Sequence, residues 1–131
     1  QMKKHPEIGA RILSDIKQVE DIIPGVLCHH ERYDGGGYPS GLVGKHIPLM
    51  GRIICLADSF DAMTSNRTYR QAMSLENAIE EIRRSRGTQF DPDLAEWFLE
   101  IGPQRLASIL DSHRSQAKRI VDMRHLIHPS P

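Results

Sequence analysis

Aromatic residues are scarce in this 131-residue chain: one Trp, three Tyr and three Phe, 5% of the total. Cysteine is almost absent. Cys28 and Cys55, the two present, both sit among aliphatics. They read as buried, reduced thiols of a cytoplasmic protein rather than as a disulfide framework. No apolar run approaches the ~18 residues of a membrane span. Membrane insertion is therefore not expected, and no leader pattern opens the chain. An excess of either charge is lacking too, with 17 Lys+Arg against 17 Asp+Glu. A protein that coats a nucleic-acid polymer needs a basic surplus to displace counterions, so that class is excluded. Strand signals are few. There is no sustained polar/apolar alternation, and no Asn-Gly or Asp-Gly turn lies between two such runs.

Helical periodicity is abundant instead, and the expected fold class is all-α. Ile8, Ile12 and Ile16 share one face of a first helix, with Leu13 beside them and Pro6 suited to the first turn. A second helix is expected over about Val19 to Glu31, with Pro24 as a kink or boundary. A third is expected over about Leu49 to Met63, with Ile53, Leu56, Ala57 and Phe60 as its apolar face. A fourth begins after Ser74, an N-cap, and ends at Gly87. A fifth opens with Asp91-Pro92 and stops at Gly102-Pro103. A sixth runs from about Gln104 and carries Leu106, Leu110, Ala117, Ile120 and Ile127. Residues 1–102 are expected to form the main domain. Residues 103–131, richer in Lys and Arg, are expected to form a helical extension. The long connection Tyr33 to Pro48 contains five glycines, at 35, 36, 37, 41 and 44. Unstructured loops of that length inside a small helical domain are more often functional than incidental.

Seven histidines are many for this length, and His29-His30 are adjacent and followed by Glu31. On a helix, neighbouring residues project about 100° apart. The pair would therefore reach different ions, or different sides of a small cluster, rather than chelate one ion. Asp58 ends the aliphatic run Ile53 to Ala57, so its carboxylate is expected to point inward, where it needs a partner or a metal. Asp61 lies one turn on, either as an outer-shell group or as a salt bridge or cap. Mixed His and carboxylate donors suit Fe, Mn, Zn, Co or Ni. Two such ions side by side clamp phosphoryl oxygens and lower the pKa of water, which points to phosphoester hydrolysis.

The string His29-His30-Glu31-Arg32-Tyr33-Asp34-Gly35-Gly36-Gly37-Tyr38-Pro39 resembles the HHExxDGxGYP signature of HD-GYP domains. The following segments fit the same family in order: Gly51-Arg52-Ile53, Ala57-Asp58-Ser59-Phe60-Asp61-Ala62-Met63-Thr64-Ser65 and Arg67-Thr68-Tyr69-Arg70. His5-Pro6 with Gly9 is similar to its HPxxG element, and Gly87-Thr88-Gln89-Phe90-Asp91-Pro92 to its GTxFDP element. The resemblance runs from about Lys4 to Leu99. It implies an HD-type helical bundle with a long Gly-rich loop, and a metal-dependent phosphodiesterase that hydrolyses cyclic di-GMP to pGpG and/or GMP. It implies divalent transition metals, di- or trinuclear in the complete domain, with iron or manganese favoured. Carried over by position, His5, His29, His30 and Asp58 are the expected metal ligands, with His29, His30 and Asp58 at the catalytic centre. Tyr38, Arg67 and Arg70 are expected beside the substrate, although the Gly-Tyr-Pro turn could equally use Tyr38 to anchor the loop. The alternatives are a non-catalytic module that docks GGDEF-type domains through the same loop, and a related hydrolase acting on another nucleotide or phosphoester.

One element of the family pattern does not occur here. The family's name comes from a His-Asp pair, followed by a Lys, upstream of HPxxG. These 131 residues contain no His-Asp dipeptide. The sequence therefore reads as the C-terminal part of such a domain. Four side-chain ligands would hold at most one ion, and weakly, so little activity is expected from the chain alone. Missing helices would leave apolar surface that a homodimer could cover.

Overall fold

The computed structural model describes residues 5–14 and 21–127, and every element among them is helical or turn. By its internal contacts the chain divides into two units, Gln1–Glu100 and Ile101–Pro131. The first unit carries α1 (His5–Ser14), α2 (Ile23–Cys28), α3 (Leu49–Thr64), α4 (Leu75–Arg84) and nearly all of α5 (Pro92–Ile101). The second is α6 (Pro103–Ile127), with every residue from Asp111 to Met123 exposed. Among the described residues no helix is long and apolar enough to cross a membrane.

Packing in the first unit is sequential: α1 on α2, α2 on α3 and α3 on α4. Gly51 sets the α2–α3 distance. A Cβ there would fall 2.8 Å from the Cys28 Cβ and 3.1 Å from the Cys28 carbonyl oxygen, so only glycine permits this approach. The buried stripe of α3 is Cys55, Leu56, Phe60 and Met63, whereas Ile53 and Ala57, expected in it, are exposed. Ile8 and Ile12 are likewise exposed. Gly9 packs against α2, where a Cβ would come 3.0 Å from Val26 Cγ1, and Pro6 is buried. Periodicity says which residues share a face. Here a small residue decided which face packs. Ile16 lies outside the described residues.

The helix-start signals at Ser74 and Asp91 performed as their chemistry predicts. Ser74 caps α4, its Oγ accepting from Asn77 N at 3.2 Å. The helix ends at Arg84, earlier than expected, and Gly87 belongs to the following turn rather than to the helix end. Asp91 caps α5, its Oδ1 accepting from Asp93 N at 2.8 Å and Leu94 N at 3.3 Å. Its other oxygen accepts from Arg52 Nη1 at 2.6 Å, and Arg52 Nε donates to the Ile47 carbonyl at 2.9 Å. This buried ion pair and the edge-on contact of Phe60 with Phe98, centroids 5.0 Å apart, hold α3 against α5. Ile82, Ala78, Ala95, Ile47 and Phe90 fill the interior. Cys28 and Cys55 are free and buried.

Candidate metal centre and cleft

α2 stops at Cys28, and His29 and His30 lie in the turn that follows rather than on a helix. The projection that would have separated their rings does not apply. The two ring centroids are 4.1 Å apart, and His5, from the start of α1, joins them. His5 Nε2 lies 2.8 Å from His30 Nε2. One donor atom from each of His5, His29 and His30 lies within 4.8 Å of the others. His29 Nδ1 donates to the Val26 carbonyl at 2.8 Å, which leaves its Nε2 lone pair facing the cluster. Burial lowers the His30 pKa, and the neighbouring His29 and His5 lower it further against the opposing pull of Asp58. A neutral imidazole is the metal-binding form.

Asp58 stands on α3 with its Oδ2 4.0 Å from His29 Nε2. Its side chain is 64% exposed, so the expected inward-pointing carboxylate is not found. The buried stripe of α3 passes through Cys55, Leu56 and Phe60, and Asp58 projects to the side of that stripe, toward the histidines. Asp61 takes the salt-bridge alternative. Its Oδ2 lies 3.5 Å from Arg67 Nη2, and its Oδ1 accepts from Ser65 Oγ at 3.2 Å.

The donor set fits a metal. Two nitrogens at ~2.0–2.1 Å from one ion and at right angles to each other are about 2.9 Å apart, close to the 2.8 Å between His5 and His30. His29, His30 and Asp58 line a cleft of about 610 Å³, whose other walls include Tyr38, Arg67, Tyr69 and Gln89.

A family model described as "HD domain" matches residues 1–94. The chain belongs to the HD-domain family, in its HD-GYP branch. It is 48% identical over 95 residues to the cyclic di-GMP phosphodiesterase response regulator RpfG of Xanthomonas campestris, which covers 70% of the chain and 25% of the relative. It is 46% identical over 104 residues to a cyclic di-GMP phosphodiesterase of Thermotoga maritima, covering 76% and 28%. Among solved structures it matches a cyclic GMP-AMP specific phosphodiesterase of V. cholerae (V-cGAP3), with a TM-score of 0.64 and 30% identity over 83% of the chain and 25% of the other. The chain thus spans about a quarter of the length of these relatives. Phosphohydrolases of the HD family are metal-dependent, and the His cluster is where this HD-GYP chain could hold an ion.

The HD-GYP loop is held by a residue whose role the sequence did not reveal. Glu31 is only 2% exposed. Its Oε1 accepts from Ser40 N at 2.7 Å and its Oε2 from Leu42 N at 3.0 Å. It therefore closes the far end of the loop and is not among the clustered ligands. Only its place directly after two candidate ligands hinted at a supporting role. Tyr33 N and Asp34 N donate to the Gln89 and Thr88 carbonyls at 3.2 and 2.8 Å, which fastens the near end. Gly37 lies against the histidine turn. A Cβ there would be 2.3 Å from Arg32 N and 2.5 Å from the His30 carbonyl oxygen. Next to it, the Tyr38 ring stacks on His30, with centroids 5.0 Å apart and planes 12° from parallel. Tyr38 thus lines the cleft and also braces a candidate ligand.

Arg67 is among the residues that line the cleft, and Arg70 is not. Its Nη2 donates to the Ala62 carbonyl at 2.8 Å, satisfying an acceptor in the last turn of α3. Ser59 and Gln89, which sequence reasoning did not single out, meet in the cleft wall, Gln89 Nε2 donating to Ser59 Oγ at 3.2 Å. Cys55 also reaches the cleft. Burial pushes its thiol up to about 11, so it stays protonated there.

Proposed function

We propose that this chain supplies the metal-binding histidines and the cleft of a phosphodiesterase acting on cyclic dinucleotides, cyclic di-GMP first, with pGpG and/or GMP as product. The observation that carries this reading is the convergence of His5, His29 and His30, with Asp58 beside His29, at the edge of a cleft that His29, His30, Asp58 and Arg67 line. The relatives named as cyclic di-GMP and cyclic GMP-AMP phosphodiesterases support the substrate class.

In this reading His5, His29, His30 and Asp58 are ligands, and iron or manganese is the metal. Two or three ions are held when the site is complete. When bound, such ions supply Lewis-acid activation of the phosphodiester and lower the pKa of the attacking water. The chain's own groups do the rest. His29 presents Nε2 because the Val26 carbonyl holds the proton on Nδ1. Tyr38 keeps the His30 ring in one orientation by stacking on it. Arg67, steadied by Asp61, offers a guanidinium to a phosphate oxygen. Arg70 acts as a positioning residue that fixes the turn carrying Arg67. Location in the cytoplasm, pairing into a homodimer and docking of a GGDEF-type domain on the outer side of the loop complete the proposal. Loop residues Asp34, Gly36, Ser40 and Val43 are exposed there.

The deciding experiment is metal analysis combined with turnover. Anaerobically prepared full-length protein should contain transition metal and convert cyclic di-GMP to a linear product. His29→Ala and Asp58→Ala should remove both properties. Metal-replete protein that leaves cyclic dinucleotides intact would overturn the reading.

A further inference from the structure

Tyr69 has the highest exposure of the large exposed hydrophobic side chains, 87%, yet it lines the cleft. Its ring and hydroxyl carry no hydrogen bond, ion pair or ring contact among the described residues. A tyrosine left in water contributes nothing to the core, so the fold does not account for it.

The backbone beneath the ring is firmly held. Arg67 N donates to the Arg70 carbonyl at 2.8 Å and Arg70 N to the Arg67 carbonyl at 3.2 Å, so Thr68 and Tyr69 form the tip of a closed turn. Asn66 Oδ1 accepts from Ala72 N at 2.8 Å, and Met73 N donates to the Met63 carbonyl at 2.7 Å. With the Arg70 guanidinium on the Ala62 carbonyl, these bonds tie the turn to the end of α3. An aromatic ring on a fixed backbone has only two side-chain torsions to order on binding, a small entropic cost. The other tyrosine in the cleft, Tyr38, already has His30 against one face. Tyr69 offers both faces.

We propose that Tyr69 is a nucleobase-stacking residue: its ring receives a purine of the substrate while Arg67, two residues earlier on the same turn, meets a phosphate. This rests on the cyclic-dinucleotide reading and adds a binding residue to it. Stacking on an aromatic side chain is worth roughly tenfold in affinity per base, and it tolerates either purine because both present a π face.

The test is steady-state hydrolysis of cyclic di-GMP by the full-length, manganese-supplied protein and three variants. Tyr69→Ala and Tyr69→Leu should raise KM about tenfold and leave kcat within about threefold. Tyr69→Phe should keep KM within about twofold, since the ring and not the hydroxyl is used. All three should keep the parent's melting temperature, because the ring supports no core. A leucine variant with the parent's KM would overturn the inference, as would an unchanged KM with a collapsed kcat. If the unsubstituted protein neither binds nor hydrolyses cyclic di-GMP, the functional reading fails and takes this inference with it. Failure of the Tyr69 variants alone leaves that reading standing.

Discussion

His5 Nε2 and His30 Nε2 lie 2.8 Å apart across 25 residues of sequence. Two imidazole nitrogens at that distance either share a proton or share an ion. The second alternative predicts a large effect of removing either ring. Alanine at His5 or His30 should weaken metal binding by about 100-fold or more. That is beyond the 10–100-fold typical of losing a supporting outer-shell group. Competition with a chromophoric chelator measures it. Unchanged affinity in both variants would show that the ion is held elsewhere.

Gly37 carries no side chain because none fits. A methyl group would fall 2.3 Å from Arg32 N and 2.5 Å from the His30 carbonyl oxygen. Gly37→Ala should destabilise the protein by about 3 kcal/mol, at the upper end of ordinary overpacking because backbone cannot step aside as a side chain can. It should also lower metal content, since the displaced backbone belongs to His30 itself. Denaturant unfolding and elemental analysis read the two effects separately.

Glu31 uses both carboxylate oxygens on the backbone N–H groups of Ser40 and Leu42. Glu31→Gln replaces one acceptor with a donor that faces another donor. A cost of about 2 kcal/mol is expected, the scale of a hydrogen bond to a charged group. Amide exchange should accelerate at Ser40 and Leu42 more than in α4. Equal acceleration throughout would mean that Glu31 is not a local clamp.

The Arg52–Asp91 pair predicts a pH dependence. Burial alone would raise the Asp91 pKa, but the bonds from Arg52, Leu94 N and Asp93 N and the Arg52 charge together outweigh it and hold the carboxyl below its usual value. The unfolded chain therefore takes up this proton more readily than the folded one. The resulting stability is present above the unfolded carboxylate pKa of ~3.9 and is lost as pH falls through the lower folded value. Asp91→Asn should flatten that acid limb while keeping a side-chain oxygen for the cap. Arg52→Met, which leaves a buried carboxylate unpaired, should cost about 3–5 kcal/mol near neutral pH. Urea melts from pH 3 to 7 check both. An acid limb identical in Asp91→Asn would assign it to other carboxylates.

Cys55, with its thiol raised to about 11, should resist alkylation in the native state. At pH 8 iodoacetamide should label it far more slowly than an unfolded cysteine, because so little thiolate is present. Rapid native labelling would contradict the buried, protonated thiol.

Much of the architecture was legible from local chemistry. Ser74 and Asp91-Pro92 announce their helix starts because a short polar side chain satisfies the first free N–H groups whatever the rest of the chain does. The HHExxDGxGYP string marks the HD-GYP branch, because a run of fixed residue types survives being read in one dimension. The sequence by itself therefore determined the helical class, most helix ends, the family and the residues to suspect. It could not say which face of α1 or α3 would pack. Ile8, Ile12 and Ile53 satisfy the same periodicity as buried residues and still lie exposed. It assigned His29 and His30 to a helix. The structure places the pair in a turn. Those outcomes depend on contacts between residues far apart in the chain: Gly51 against Cys28, Glu31 against Ser40 and Leu42, His5 against His30. Local propensity carries no record of such distances. Only the folded chain, by satisfying buried polar groups and excluding overlap, brought three histidines to one point.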